Sequence, residues 1–149
     1  TGPTGSFPAT LVMVKDYFGV SKPKYGEPNV FEEKDTTRFM FGYNANGETY
    51  FVQTWEMTQS NNEKSALSKL LSGMKGSPVL WTDEYDYVDE VGTVCQVTVS
   101  SKVSKKGKTY NYVASVAPLL DELVDKAPKL EEVEIPEQDS VENGVDPVS

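Results

Sequence analysis

The chain has 149 residues, a formal charge of −9 and a hydrophobic content of 38%, with no histidine and one cysteine. The lack of histidine removes the commonest general base and metal ligand, and a lone cysteine cannot form an internal disulfide. We therefore expect no catalytic site, metal or cofactor. No apolar stretch approaches the ~18 residues of a transmembrane helix, and residues 1–6 lack the features of a secretion signal. These features predict a soluble, cytoplasmic protein.

Residues 7–18 form the first predicted strand, because apolar side chains alternate on both of its faces. Residues 19–34 follow and contain Pro23, Gly26 and Pro28 among lysines and glutamates. These chain breakers predict a long loop. Loops of this length are usually functional or disordered, so the segment is a candidate for ligand contact.

Residues 36–43 and 48–57 are predicted to pair as a hairpin. Asn46 and Gly47 lie in the turn between them and supply the positive φ angles that a short turn requires. A small barrel fills its interior with large side chains, so the aromatic residues here are expected mainly in the core, with ligand contact as the alternative. They are Phe39, Phe41, Phe51 and Trp55.

Residues 60–76 predict a helix, with Ser60 or Asn61 as its N-cap and Glu63 near the capping-box position. Gly73 and Gly76 precede a proline that cannot continue the helix. An apolar stripe at helical spacing would pack on a sheet. The stripe comprises Ala66, Leu67, Leu70, Leu71 and Met74.

Residues 79–91 are interpreted as a connector in which Trp81 is a structural anchor. Residues 93–101 and 109–117 alternate as two more strands, joined by a turn at residues 102–108. Cys95 lies inside the first of these strands. We therefore expect a small core residue there rather than a reactive thiol.

The predicted order of three strands, one helix and two strands is that of an OB-fold. We therefore predict an all-β domain with one helix over residues 1–120, built as a five-stranded, OB-fold-like barrel. OB-folds bind oligonucleotides or oligosaccharides through the loops between strands 1 and 2 and between strands 4 and 5. Here those loops would be residues 19–34 and 102–108, and both carry lysines.

Charge separates the C-terminal segment from the rest of the chain. Residues 121–149 contain ten acidic residues and two lysines, whereas residues 1–120 contain 13 acidic and 12 basic residues. This composition predicts a disordered acidic tail. Such a tail can solubilise the protein, bind partner proteins or compete with an anionic ligand for a basic groove.

Single-stranded nucleic acid is held by cations that pair with phosphates and by aromatic rings that stack on bases. Lysines at a hairpin tip also protect strand edges from aggregation, so they do not by themselves establish a binding site. Tyrosines are the favoured stacking candidates, because their hydroxyl group tolerates water. The candidate contacts are Lys22, Lys24, Arg38, Tyr43, Tyr50, Lys102, Lys105, Lys106, Lys108, Tyr110 and Tyr112.

A set of short motifs extends from the third predicted strand to the last. It consists of Trp55-Glu56, residues 63–70, Met74-x-Gly76, Gly92-x-x-Cys95, residues 107–110 and residues 114–118. The set resembles that of small OB-fold single-stranded DNA-binding proteins of tailed bacteriophages, over roughly residues 6–120. The resemblance implies a role in phage DNA replication or recombination. It also implies that the acidic tail contacts replication proteins.

Together these features predict a sequence-tolerant single-stranded DNA-binding protein. Its two lysine-bearing loops would clamp phosphates, its tyrosines would stack on bases and its tail would screen the groove. The competing hypothesis is a phage structural or protein-interaction module on the same barrel, without nucleic acid. The charge of −9 supports this alternative, because nucleic-acid-binding domains are usually basic. The oligomeric state stays open, with a homodimer among the options.

Overall fold

The computed structural model describes residues 2–24 and 26–136, with the backbone alone described at residues 22, 23 and 28. Three short 3₁₀ helices occur in these ranges, at Tyr87–Glu90, Asp121–Lys126 and Leu130–Glu132. No helix in the described ranges is long and apolar enough to cross a membrane. The principal elements are β1 (Gly5–Lys24), β2 (Glu27–Ala45), β3 (Glu48–Gln53), β4 (Met57–Thr58), α1 (Ala66–Lys75), β5 (Val94–Val103) and β6 (Thr109–Ala117).

The strands form one antiparallel sheet in the order β3-β2-β1-β5-β6, and the short β4 also pairs with β2. The prediction of a mainly β fold with one α-helix is confirmed. The described residues do not close this sheet into a barrel, because β3 and β6 are its two edges and no ladder joins them. Barrel closure was therefore predicted wrongly from the order of elements alone.

Two N-terminal residues make hydrogen bonds to β2 and to β6, which lie in different halves of the sheet. The hydroxyl group of Tyr43 on β2 donates to the carbonyl oxygen of Pro3 at 3.0 Å. The side-chain amide of Asn111 on β6 donates to the carbonyl oxygen of Gly2 at 2.7 Å. Residues 2 and 3 thus link β2 to β6, whereas closing the barrel would need a ladder between β3 and β6.

The core lies between α1 and one face of the sheet. Leu67 and Leu71 of α1, together with Phe39 and Phe41 of β2, are fully buried in one cluster. The predictions that the helix packs on the sheet and that these phenylalanines belong to the core are confirmed. Cys95 of β5 is fully buried in the same cluster, and burial raises the pKa of its thiol to about 12. It is a core residue, as predicted.

The hairpin between β2 and β3 is the local feature that the sequence predicted best. Asn46 and Gly47 have φ angles of 53° and 79°, as a two-residue turn of this kind requires. β3 nevertheless ends at Gln53, before the predicted end at residue 57. The Thr54 N–H still donates to the Phe39 carbonyl oxygen at 2.9 Å, but the Phe39 N–H donates to the Thr54 hydroxyl at 3.1 Å instead of to a backbone carbonyl.

The predicted long loop at residues 19–34 is a β-ribbon. β1 and β2 remain paired from Val20 opposite Lys34 to Lys24 opposite Glu27. We call residues 18–24 and 27–35 of this hairpin the arm. Among the described residues each strand of the arm has one free edge, and edge strands tolerate proline because a missing N–H there breaks no ladder. Gly19, with a φ angle of 67°, lies at an irregularity in β1 that interrupts the alternating pattern.

The helix begins later than predicted. Ser65 is the N-cap of α1, and its side chain accepts a hydrogen bond from the backbone N–H of Ser68. Ser60 and Asn61 were predicted as caps, but the Asn62 side chain accepts from the N–H of Lys64 and forms a turn of its own before the helix. The predicted end at Gly76 is confirmed, since this residue adopts the left-handed conformation.

The first half of the predicted tail lies on the sheet. The Thr10 hydroxyl of β1 donates to the carbonyl oxygen of Pro128, and the Asn44 amide donates to the carbonyl oxygen of Lys126 at 3.4 Å. Ala127 is only 4% exposed. The expectation of disorder from residue 121 onward is therefore wrong for this segment, because apolar residues among the acidic ones pack on β1. Residues 137–149, the rest of the predicted tail, lie outside the described residues.

Gly73 lies where α1 approaches β6, and a Cβ atom there would be 2.9 Å from Val116 Cγ2 and 3.1 Å from the Val116 carbonyl oxygen. We expect Gly73→Ala to lower the free energy of unfolding by about 1–3 kcal/mol, because overpacking outweighs the gain of about 1 kcal/mol in helix propensity. Urea denaturation followed by circular dichroism measures the change. A stabilised variant would show that the helix can move away from β6 at little cost.

Candidate nucleic-acid interface

The turn between β5 and β6 presents lysines on a well-defined structure. We call residues 102–108 the lysine hairpin. The Ser104 hydroxyl accepts from the backbone N–H groups of Lys106 and Lys108 at 3.3 and 3.2 Å, and Gly107 has a φ angle of 80°. All four lysine residues of the hairpin are exposed, namely Lys102, Lys105, Lys106 and Lys108.

The sequence around these lysines contains no acidic residue. Residues 91–120 contain the four lysines and no aspartate or glutamate. Charges separated by more than a Debye length of about 8–10 Å are largely screened at moderate salt, so nearby charges dominate the potential. The stretch of sequence around the hairpin is therefore locally basic, although the charge of the whole chain is −9.

Aromatic side chains lie directly beside the hairpin. The Lys102 ammonium group lies 5.2 Å from the centre of the Trp55 ring, within range of a cation–π interaction. The Trp55 ring centre is 4.8 Å from that of Tyr112 on β6. Both aromatic residues are partly exposed. The structure thus brings the predicted contacts Lys102 and Tyr112 together with Trp55, which was predicted mainly as a core residue.

A groove of about 350 Å³ continues from Trp55 between α1 and β6. Lys69 and Leu70 of α1 line one side, and Ala114 and Ser115 of β6 line the other. Lys69 was not among the predicted contacts. Its position on the helix relative to β6 depends on tertiary packing, and no local pattern in the sequence indicated it.

Two predicted stacking tyrosines are buried. Tyr43 is fully buried and Tyr110 is 6% exposed. Tyr43 lies on the same alternating face of β2 as Phe39 and Phe41, which faces the core. Tyr110 packs edge-on against Trp55, with ring centres 6.2 Å apart. Neither ring can accept a base without unpacking, so both predictions are wrong.

Tyr50 is partly exposed but lies in a different environment from Tyr112. Its hydroxyl group donates to a Glu48 carboxylate oxygen at 3.0 Å. This hydrogen bond is the main cause that raises the pKa of Tyr50. A carboxylate beside the ring disfavours an approaching phosphate, so Tyr50 is a weaker stacking candidate than Tyr112.

Arg38 is held in an ion pair rather than presented to a ligand. Its guanidinium Nη2 lies 3.2 Å from a Glu56 carboxylate oxygen, and the two side chains are only 10% and 11% exposed. The guanidinium group also lies 5.9 Å from the centre of the Tyr17 ring. A phosphate would have to displace Glu56 from a largely desolvated pair. In this arrangement Arg38 is a poor candidate for a phosphate contact, and its predicted role stays a prediction.

The arm lysines do not join the lysine hairpin. β1 pairs with β5 near Gly5, so the lysine hairpin lies at the N-terminal end of β1, whereas the arm contains the C-terminal end. The 20 residues of β1 correspond to a path on the order of 60 Å. Lys24 is paired with Glu27 at 3.3 Å, and the Lys22 backbone lies opposite Glu32. The predicted clamp of two basic loops around one ligand site is not formed.

No protein-family model matches the chain, and no curated protein matches it significantly. Within the described ranges, no group of three or more metal-ligating side chains is close enough to hold an ion.

Trp81, which was predicted as an anchor, donates from its indole N–H to the Ser68 hydroxyl at 3.0 Å.

The buried Arg38–Glu56 pair provides a test of the role assigned to Arg38. We expect Glu56→Gln to lower the free energy of unfolding by about 3 kcal/mol, because it leaves the Arg38 charge uncompensated in a desolvated site. The exposed pair of Lys24 and Glu27 is the control, and Glu27→Gln should change stability by less than about 1 kcal/mol. Equal, small effects in urea denaturation would mean that Arg38 is solvated and open to phosphate.

Proposed function

We propose that the chain is a sequence-tolerant single-stranded DNA-binding protein that contacts its ligand through the lysine hairpin, Trp55 and Tyr112. The observation that carries this proposal is the position of Lys102 over Trp55 at the base of a hairpin without acidic residues. Lysines there can pair with phosphates while the rings beside them stack on bases. Neither interaction requires a particular base sequence.

The sheet order supports an OB-like relation as part of the same proposal. The order β3-β2-β1-β5-β6 is compatible with a five-stranded Greek-key barrel that has opened between β3 and β6. The motif resemblance to phage single-stranded DNA-binding proteins points in the same direction and suggests a role in replication or recombination. In this proposal the acidic residues beyond 136 bind replication proteins.

Removing lysines from the hairpin tip should weaken DNA binding in a salt-dependent way. We expect Lys105→Ala with Lys106→Ala to lower affinity for a labelled oligothymidine and to reduce the slope of log K against log salt by about 1.4, at about 0.7 per phosphate contact. Fluorescence anisotropy across a salt series measures both quantities.

The matched control for this pair is Lys22→Ala with Lys24→Ala, which removes the same charge from the arm and should leave the slope nearly unchanged. An unchanged slope in the hairpin variant would remove the hairpin from the interface. A wild-type protein that fails to bind at low salt would overturn the proposal and favour the protein-interaction alternative.

The two tryptophans allow the stacking surface to be located. We expect single-stranded DNA to quench the fluorescence of the Trp81→Phe variant, which retains Trp55, and to leave that of the Trp55→Phe variant nearly unchanged. Tyr112→Ala should weaken binding by about 1–3 kcal/mol, the typical contribution of one stacked base. Tyr50→Ala is the control and should have a smaller effect. Quenching that persists without Trp55 would place the DNA elsewhere on the protein.

A further inference from the structure

The groove between α1 and β6 lies next to the proposed binding surface. Along β6 the lysine hairpin comes first, Tyr112 follows beside Trp55, and residues 113–116 then line the groove. Trp55 itself lines the groove as well. A strand of nucleic acid that continues along β6 from the Trp55 ring therefore enters the groove directly.

The size of the groove is set by the approach of α1 to β6. The two elements meet at Gly73, where a Cβ atom would be 3.1 Å from the Val116 carbonyl oxygen. One turn earlier in the helix, Lys69 and Leu70 line a space of about 350 Å³ instead. Sites for small molecules typically measure about 300–1,000 Å³. The groove thus has room for one base but not for a duplex or a partner helix.

The lining of the groove combines apolar side chains with one cation. Met57, Leu70 and Val113 are among its apolar residues. Lys69 is the one charged residue among those that line it, and its side chain is exposed. No carboxylate in this lining would repel a phosphate. An apolar surface beside a single ammonium group suits a ligand with a flat, weakly polar ring and a negative charge, which is the chemistry of a nucleotide.

A β-bulge shapes the wall that β6 contributes. Ser115 lies opposite Thr98 and Val113 lies opposite Val99, so Ala114 is an extra residue without a partner in the described ladder with β5. Bulges bend a strand and re-aim its side chains, and they are frequent at sheet edges and beside active sites. Ala114 and Ser115 are both exposed and both line the groove. The wall therefore carries small side chains where a bulky residue would fill the space.

We propose that this groove binds one base of the single-stranded DNA and that Lys69 pairs with the phosphate of the same nucleotide. The inference rests on the proposed function and adds a second base-binding position, next to the one on Trp55. The base packs by its faces against apolar side chains, and this contact does not require a particular base. The bound strand then follows β6 from the lysine hairpin past Trp55 toward Gly73.

Filling the groove tests the position of the base. Ala114→Leu occupies the space without offering a ring for stacking, and we expect it to weaken binding of a labelled oligothymidine on the order of tenfold, as loss of one stacked base does. The slope of log K against log salt should stay unchanged, because no cation is removed. Fluorescence anisotropy across a salt series measures both quantities.

Ala117→Leu is the matched control, because Ala117 is exposed on the same strand but does not line the groove. It should bind as the wild type does. Quenching of Trp55 by saturating DNA, measured in the Trp81→Phe background, should persist in Ala114→Leu, because the ring next to the groove keeps its own base. Wild-type affinity in Ala114→Leu would overturn the proposal.

A charge deletion tests the phosphate contact without changing the groove wall. We expect Lys69→Ala to reduce the salt slope by about 0.7, the value for one phosphate contact on a single strand. Lys64→Ala is the control, since Lys64 is an exposed lysine just before α1 that does not line this groove. A slope that falls equally in both variants, or in neither, would contradict a direct contact at Lys69.

The same series separates this inference from the proposed function. If the wild type binds oligothymidine and Lys105→Ala with Lys106→Ala lowers the salt slope, the proposed function stands. Wild-type behaviour of both groove variants would then show that the groove stays empty and that this inference alone is wrong. A wild-type protein that does not bind at low salt would overturn both.

Discussion

The pairing of β1 with both β2 and β5 is the interaction on which the rest of the structure depends. β1 is the only described strand that joins the β2–β3 half of the sheet to the β5–β6 half by backbone hydrogen bonds. Its first residues, from Gly5 to Thr10, pair with β5, and its later residues continue alone with β2 into the arm. The lysine hairpin and the arm therefore project from opposite ends of one central strand, which allows them to have separate functions.

Because the lysine hairpin and the arm lie apart, the charges of the two regions can act separately. The hairpin region from residue 91 to 120 has four lysines without an acidic residue, the arm is nearly balanced, and residues 121–136 carry six acidic residues and two lysines. Because salt screens charges beyond about 8–10 Å, each region acts mainly on what touches it. The segment after β6 is tied to β1 through Thr10, so its acidic residues begin from a fixed point on the sheet.

Local patterns in the sequence predicted the elements whose structure is decided locally. Asn46 and Gly47 adopt the positive φ angles of the predicted turn, and β6 begins and ends at the predicted residues. The apolar stripe of α1 identifies the buried side of the helix.

Tyr43 and Arg38 show where such patterns fail. Alternation assigns a residue to one of two faces but does not say which is covered when both are rich in large side chains. Nor does it reveal Glu56, which follows β3 and neutralises Arg38 only after the chain has folded. The arm was missed because prolines at free strand edges do not break a ribbon.

The position of Trp55 connects stability with the proposed binding surface. The ring lies where β3 ends and contacts Tyr110 and Tyr112 on β6, so it bridges the two edges of an unclosed sheet. A ladder between β3 and β6 would have used backbone groups and left the aromatic side chains to fill an interior. The open edge instead keeps the Trp55 and Tyr112 rings partly exposed beside Lys102. A base that stacks on Trp55 would therefore add its contacts at the junction between β3 and β6, the two strands that no backbone ladder joins.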